Sequence, residues 1–121
     1  MFNHAPDGYR CPFCLVVGGG EDDLTRQEDI VLRTERAMAF VASRWWPNNR
    51  GHMLVVPTEH HENVYDLPAG YQDAWHYHVH VFPRYEGDNL YNTRHLTEPA
   101  TAEEREPYAL RLREYFAGRS E

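Results

Sequence analysis

The segment "WHYHVHVF" at Trp75–Phe82 constrains the fold more than any other part of the sequence, because histidines occupy positions 76, 78 and 80. Successive side chains on a β-strand point to opposite faces, so residues two apart share a face, roughly 6.6–6.8 Å from each other. We therefore predict a strand with His76, His78 and His80 lining one side. A solvated face would more often mix Lys, Glu, Thr and Ser, which favours a functional role for these imidazoles.

Length and charge narrow the class of protein. The 121 residues fit a single domain over 1–121, and the net charge of −7 argues against binding to a nucleic acid polymer or an anionic membrane. The net charge does not exclude a small phosphate ligand, because a local site can be positive on an acidic protein. The apolar runs are short, so we expect no membrane span and no secretory segment. The two cysteines, Cys11 and Cys14, form one C-x-x-C, which in a chain without a secretory segment predicts a reducing, cytoplasmic location.

Other segments predict an α+β class. Short apolar runs predict further strands at Ile30–Leu32, Met38–Ala42 and His52–Pro57. A helix is predicted from Thr58 to Leu67. A final helix is predicted with Pro107 at its first position and Gly118 closing it, because apolar residues recur at helical spacing between them.

Imidazole can act as a metal ligand, a general acid or base, or a nucleophile. The outer two histidines of the strand lie roughly 13 Å apart at Cα, so all three do not easily converge on one ion. His76 and His78 could share a metal with ligands from elsewhere. A central nucleophile fits the spacing better, with His78 attacking and His76 and His80 tuning it.

Several ordered motifs resemble the histidine triad (HIT) superfamily, in its zinc-type bacterial branch. "HYHVHVFPR" resembles the triad signature, "CPFC" the N-terminal C-x-x-C, "AMAFV" the strand before the nucleotide pocket, and "GHMLVVPTEHHENVYDL" the segment ending in Pro-x-x-His. The similarity covers most of residues 11–88. It implies the HIT-like fold, an antiparallel sheet of about five strands with one or two helices and a C-terminal helix. It also implies a homodimer.

The resemblance further implies a nucleotide hydrolase or nucleotidyl transferase. His78 would attack the α-phosphate of a nucleoside 5′-phosphate derivative and form a covalent nucleotidyl-histidine, with His80 and His52 assisting. Candidate substrates are a phosphoramidate, an acyl-adenylate or a dinucleoside polyphosphate. Hydrolysis is favoured over phosphorolysis, which needs a second anion pocket.

The residues expected to bind the nucleotide or its phosphate are Gln72, His78, His80, Asn48 and Arg84. Asn48 is also a common turn residue, and Arg84 could instead pair with a surface carboxylate. Trp45 and Trp46 fit either the core or a wall against a base. An acidic residue for the sugar is not evident, because neither Ala42 nor Ser43 is acidic.

The resemblance also implies a structural zinc. Its ligands would be Cys11, Cys14, His60 and His76, a set common in closed zinc sites, with His61 the rival of His60. Taken alone, the C-x-x-C would fit a redox pair or two buried thiols equally well.

One interval departs from the pattern. Only Glu59–Trp75 separates Pro-x-x-His from the triad, where a helix and a strand are expected. Either the chain is shortened there, or a segment near 66–71 is missing from the sequence as given, and we expect the second. A true shortening would put the dimer interface and the pocket in doubt.

Two other functions stay open. One is a metal-dependent hydrolase with His76 and His78 as ligands, which chelation would inactivate at once. The other is a non-catalytic nucleotide-binding or zinc-dependent interaction module, which needs no histidine nucleophile.

Overall fold

The computed structural model describes residues 10–59 and 78–118. Its helices and strands are α1 Pro12–Val17, β1 Ile30–Arg33, β2 Ala37–Val41, β3 Met53–Pro57, β4 Val79–Val81 and α2 Ala102–Ala117. Two short 3₁₀ turns lie at Gln27–Asp29 and Leu90–Asn92. The predicted helix from Thr58 to Leu67 and the interval near 66–71 lie largely or wholly outside these residues, so both stay predictions.

The strands form one antiparallel sheet in the order β1-β2-β3-β4. The strands predicted at Ile30–Leu32, Met38–Ala42 and His52–Pro57 are confirmed as β1, β2 and β3, with ends that differ by one residue, and the strand carrying His80 is confirmed as β4. The described residues contain four strands, and the part of the triad strand before His78 lies outside them. The α+β class is confirmed.

The two faces of the sheet bury different clusters. On the α1 side, Phe13 and Val16 of α1 pack on Phe40, Leu54 and other side chains of β2 and β3. On the α2 side, the buried residues are Val31, Ala39, Val41, Trp45, Ala100 and Ala109. Because strand residues alternate, each of β2 and β3 supplies side chains to both clusters.

The C-terminal helix begins earlier than predicted. Thr101 caps it by accepting a hydrogen bond from the backbone N–H of Glu104, whose carboxylate accepts one from Thr101 in return. This reciprocal capping satisfies two backbone donors, so the first turn forms ahead of Pro107. The prediction of Pro107 at the first position is therefore wrong, and the proline lies inside the helix. The prediction that Gly118 follows the last helical residue is confirmed.

The short helix α1 was not predicted from the sequence. Cys11 caps this short helix and Pro12 occupies its first turn, where a missing N–H costs little. Among residues 10–59 and 78–118, no helix has the length and apolar content to cross a membrane.

A buried ion pair holds α2 against the start of the sheet. Arg105 is fully buried, and its Nε donates to Oδ1 of Asp29 at 3.0 Å while Nη2 lies 3.0 Å from Oδ2. Arg105 Nη1 also donates to the carbonyl of Ala100, at 2.5 Å. Both charges are thus paired away from water, as buried ions require.

Gly51 sits where the chain enters β3, directly before His52. Its φ of +79° lies in the left-handed region, and a Cβ there would come 2.3 Å from the ring of Tyr108 on α2. Gly51 therefore permits both the turn and the close approach of the C-terminal helix.

We predict that Gly51→Ala destabilises the fold by about 3 kcal/mol, because backbone strain and the clash with Tyr108 add together. Gly87→Ala is the matched control, since Gly87 has a φ of +75° with nothing within 4 Å of an added Cβ. It should cost only about 1 kcal/mol. Urea unfolding of both variants measures the difference, and equal losses would contradict a role for the Tyr108 contact.

Candidate active site

A cleft opens on the α1 side of the sheet. Its empty volume is about 630 Å³, including the mouth. The lining residues are Pro12, Phe13, Asp22, Leu24, Thr25, Phe40, Ala42, Ser43, Arg44, Trp46, His52, Leu54, His78 and His80. The described part of the chain thus brings three histidines to one concave surface with an apolar wall, the usual form of a small-molecule site.

His78 and His80 reach the cleft from β4. His80 pairs in register with Leu54, whose side chain belongs to the α1-side core, so the imidazole points to the same side. The rings of His78 and His80 lie 5.1 Å apart between centroids. The ring of His78 also meets Phe13 of α1, edge to face at 5.1 Å. The alternation predicted for the triad strand therefore holds for its two described histidines.

His52 enters the cleft from the start of β3. It is 1% exposed, and its Nε2 lies 3.4 Å from Nδ1 of His80. Burial, with a smaller contribution from the charge of His80, lowers the pKa of His52 to about 4. Its Nδ1 has no hydrogen-bond partner among the described residues. A neutral His52 can therefore share one proton with His80, and which ring donates depends on the tautomer.

Two aromatic rings frame the histidine pair. Phe82 stacks on His52 at 4.7 Å and on His80 at 5.7 Å between centroids. Trp46 meets both imidazoles edge to face, at 5.5 and 6.1 Å, and its Nε1 donates to the carbonyl of Thr93. The tethered indole holds the orientation of the pair and limits its contact with water. Of the two tryptophans, Trp45 is buried in the α2-side core and Trp46 lines the cleft.

The cleft lining also includes polar side chains from the loop before β1 and from the chain that follows β2. Its polar side chains are Asp22, Thr25, Ser43 and Arg44. Thr25 and Ser43 are buried, whereas Arg44 is exposed. From the sequence, Ser43 was noted only as a position without a carboxylate, and no role was predicted for Asp22.

Two predicted phosphate ligands lie outside the cleft lining. Asn48 is exposed and donates to the backbone carbonyl of Asp88 at 3.0 Å, as a turn residue would. Arg84 makes two hydrogen bonds to the carboxylate of Asp88, at 2.8 and 3.0 Å. These bonds, joined by that of the Tyr85 N–H, hold the pKa of Asp88 well below its usual range. Gln72 lies outside the described residues.

Asn49 has a structural role that the sequence did not reveal. It is fully buried and donates to the carbonyl of Pro83 and to the carboxylate of Asp88, at 2.8 and 2.9 Å. These bonds connect the turn before β3 to the turn after β4. The ends of the two strands that carry His52 and His80 are therefore tied together.

The cysteine pair lies at the start of α1, beside the cleft. The backbone N–H of Cys14 donates to Sγ of Cys11 at 3.4 Å, and the two are not joined in a disulfide. Burial and the nearby Cys11 raise the pKa of the Cys14 thiol to about 11. His60 and His76 lie outside the described residues. Within 10–59 and 78–118, no group of three metal-binding side chains comes together.

In sequence, the chain is similar to an uncharacterised HIT-like protein of Methanocaldococcus jannaschii. The two are 28% identical over 112 residues, which cover 64% of this chain and 81% of the relative. No family model matches the chain. The likeness in sequence agrees with the resemblance to the histidine triad superfamily.

Solved structures establish the fold. A zinc-bound histidine triad family protein of Mycobacterium smegmatis matches with a TM-score of 0.63 and 23% identity, over 89% of this chain and 94% of its own. A HIT-like protein of Bartonella henselae matches with a TM-score of 0.61 and 18% identity, over 91% of this chain and 98% of its own. The diadenosine triphosphate hydrolase of Plasmodium falciparum matches with a TM-score of 0.59 and 14% identity, over 98% of this chain and 91% of its own. The chain has the HIT-like fold.

The buried, neutral His52 makes stability depend on pH. Its pKa in the fold, about 4, lies below the ordinary value of 6.5, so the unfolded chain binds a proton that the folded chain refuses. Stability is therefore lost as the pH falls from 6.5 towards 4. We predict that the free energy of unfolding drops by about 1 kcal/mol more between pH 7 and pH 5.5 in the wild type than in His52→Gln.

Urea unfolding at the two pH values measures this difference. His95→Gln is the control, because His95 is exposed and does not line the cleft, and it should keep the wild-type dependence. The same pH dependence in His52→Gln as in the wild type would refute the neutral, buried state of His52.

Proposed function

We propose that this chain is a histidine triad enzyme that transfers the nucleotidyl group of a nucleoside 5′-phosphate derivative to water or another acceptor. One observation carries the proposal: His78, His80 and His52 meet in a single cleft. Centroid distances of 5.1 and 5.4 Å separate His80 from the other two rings. Imidazoles at such spacing suit a nucleophile with hydrogen-bonding neighbours. Phosphoramidates, acyl-adenylates and dinucleoside polyphosphates are the candidate substrates.

In the first step, an unprotonated ring nitrogen of His78 attacks the α-phosphorus. The bond from phosphorus to the leaving group breaks, and the leaving group keeps the electron pair and takes up a proton from solvent. His80 can donate an N–H to a phosphoryl oxygen as negative charge builds there. The product of this step is a nucleotidyl group bound to His78.

In the second step, water attacks the same phosphorus and the phosphorus–nitrogen bond breaks. The electron pair of that bond returns to His78, the water gives up a proton to solvent, and a nucleoside monophosphate leaves. Because His52 stays neutral at physiological pH, it can accept or donate one hydrogen bond to His80 without adding charge near the phosphate. Splitting one displacement into two is the advantage of covalent catalysis.

The proposal includes a structural zinc held by Cys11, Cys14, His60 and His76. The observation that supports it is the position of both thiols at the start of α1, one turn apart and beside the cleft. Thiolates and imidazoles are the donors that closed zinc sites use, and a bound zinc would tie α1 to the chain around it. The match to a protein described as zinc-bound is in keeping with this assignment.

Several further features belong to the proposal. The single domain over 1–121 comes from the chain length and the cytoplasmic location from the cysteine pair, whereas the homodimer and a phosphate contact from Gln72 come from the resemblance. Asn48 and Arg84 are proposed to support the phosphate site indirectly, because their hydrogen bonds to Asp88 hold the loops beside the cleft.

We predict that His78→Ala lowers turnover of adenosine 5′-phosphoramidate at least about a thousandfold, because it removes the nucleophile. Acid-quenched mass spectrometry of the wild type should show a nucleotidyl adduct on His78. His95→Ala is the matched control and should retain activity, since His95 lies outside the cleft lining.

Three results would contradict the assignment. Near wild-type turnover in His78→Ala would exclude the nucleophile. Instant inactivation by a chelator with no trapped adduct would favour the metal-dependent hydrolase. Nucleotide binding without turnover of any candidate substrate would favour the non-catalytic module.

Metal analysis of the purified protein should give about one zinc per chain, and Cys14→Ser should lose most of it, because one of the four ligands is removed. Loss of the metal should also lower the free energy of unfolding, since zinc binding and folding are coupled. Arg10→Ser, at an exposed position beside the motif, is the control and should keep its zinc. Well under one zinc per wild-type chain would refute the site.

A further inference from the structure

Arg44 is the one arginine in the described lining of the cleft, which contains no lysine. Its side chain is exposed, and among the described residues its guanidinium has no ion pair and no hydrogen bond. Arg84 and Arg105, by contrast, are paired with Asp88 and Asp29. Arg44 is therefore a cation that the fold leaves available to a ligand of the cleft.

The backbone on either side of Arg44 is fixed. The carbonyl of Ser43 accepts a hydrogen bond from the N–H of Ala100 at 2.7 Å, and the carbonyl of Trp45 accepts one from the N–H of Leu96 at 2.6 Å. Both bonds connect this segment to the chain that leads into α2. A ligand therefore has to order only the side chain of Arg44 when it binds, which lowers the entropic cost of binding.

The neighbours of Arg44 in the lining define the group that it can bind. Ser43 and Thr25 contribute buried hydroxyl groups, which can donate hydrogen bonds. The carboxylate of Asp22 lies in the same lining, but its Oδ1 accepts two backbone N–H bonds that offset part of its charge. A guanidinium accompanied by hydroxyl donors matches a phosphate, whose oxygens accept several hydrogen bonds at once.

The order of the strands places Arg44 away from the proposed nucleophile. Arg44 follows β2, whereas His78 directly precedes β4, two strands further along the sheet. At the usual spacing of neighbouring strands, β2 and β4 are about 10 Å apart. A phosphate joined directly to the α-phosphate would stay beside His78. The sugar separates its 2′- and 3′-oxygens from the 5′-phosphate, so a phosphate on either of them fits the position of Arg44 better.

We infer that Arg44 binds a second phosphate group of the nucleotide, a monoester on the 2′- or 3′-oxygen of the ribose. The inference rests on the proposed function, because it needs a nucleotide with its α-phosphate at His78. The cleft then selects nucleotides that carry a phosphate on the sugar over nucleoside 5′-monophosphates. Its two anion subsites come from different elements of the fold, the histidine strand and the chain after β2.

The test measures the binding of AMP, ADP, adenosine 2′,5′-bisphosphate and adenosine 3′,5′-bisphosphate by calorimetry. The wild type should bind one of the two sugar bisphosphates at least about tenfold more tightly than AMP, because charge-assisted hydrogen bonds to Arg44 are added. The two bisphosphates distinguish the 2′ from the 3′ position. Arg44→Gln should lose this preference and keep its affinities for AMP and ADP within about twofold, since neither places a phosphate at Arg44.

Arg36→Gln is the matched control, because Arg36 is exposed at the turn between β1 and β2 and lies outside the cleft lining. It removes the same charge and should leave the preference unchanged. Equal binding of AMP and both sugar bisphosphates by the wild type, or equal losses in the two variants, would overturn the role of Arg44. A loss of affinity for ADP instead of the sugar bisphosphates would overturn the position at the sugar.

Turnover separates this inference from the proposed function. Loss of the bisphosphate preference in Arg44→Gln, with no phosphoramidate hydrolysed by the wild type, would support the subsite and refute catalysis. Hydrolysis through His78 with no dependence of binding on Arg44 would do the reverse. No binding of any of the four nucleotides to the wild type would overturn both.

Discussion

The buried pair of Arg105 and Asp29 fixes the position of the C-terminal helix, and much of the candidate site follows from that position. Removing one member of such a pair leaves an unpaired buried charge, which costs about 3–5 kcal/mol, whereas the intact pair contributes little net stability. Its value here is geometric: it sets one orientation of α2 over the sheet. Tyr108 of α2 then packs so closely against Gly51 that the position has room for a hydrogen but not for a Cβ. Gly51 in turn leads the chain into β3 and places His52 in the cleft.

Short apolar runs were sufficient to predict β1, β2 and β3, because a strand that is buried on both faces reads as a continuous apolar run. Period-two alternation predicted only the strand of His78 and His80. The helices were harder to predict. Proline is a strong signal for a first helical position, yet the capping pair of Thr101 and Glu104 starts α2 earlier and the helix accommodates Pro107 inside. The short helix α1 has too few residues to show a hydrophobic period. Its available signal was Cys11 before Pro12, a capping side chain followed by the proline that favours a first turn.

Sequence spacing predicted that His78 and His80 share one face of a strand, and both line the cleft. His52 was added because of the resemblance, and the neighbouring strand brings it to the same cleft. Asp22 was missed because the loop before β1 has no periodicity, and only the fold shows which side of that loop faces the cleft. Arg84 carries a charge suited to phosphate, but a sequence does not show that Asp88 already satisfies it. Long-range partners of this kind depend on tertiary structure and have no local pattern.

The pairing of β3 with β4 also determines which side chains of β4 reach the cleft. His80 faces the cleft because it is in register with Leu54, and the turn after β4 is tied to the turn before β3 through Asn49. A slip of one residue would put Val79 or Val81 in the place of His80 and turn its imidazole to the other face of the sheet, so the register is strongly specified. The described histidines are therefore held from two directions, by the strand pairing and by the tie beyond the end of β4.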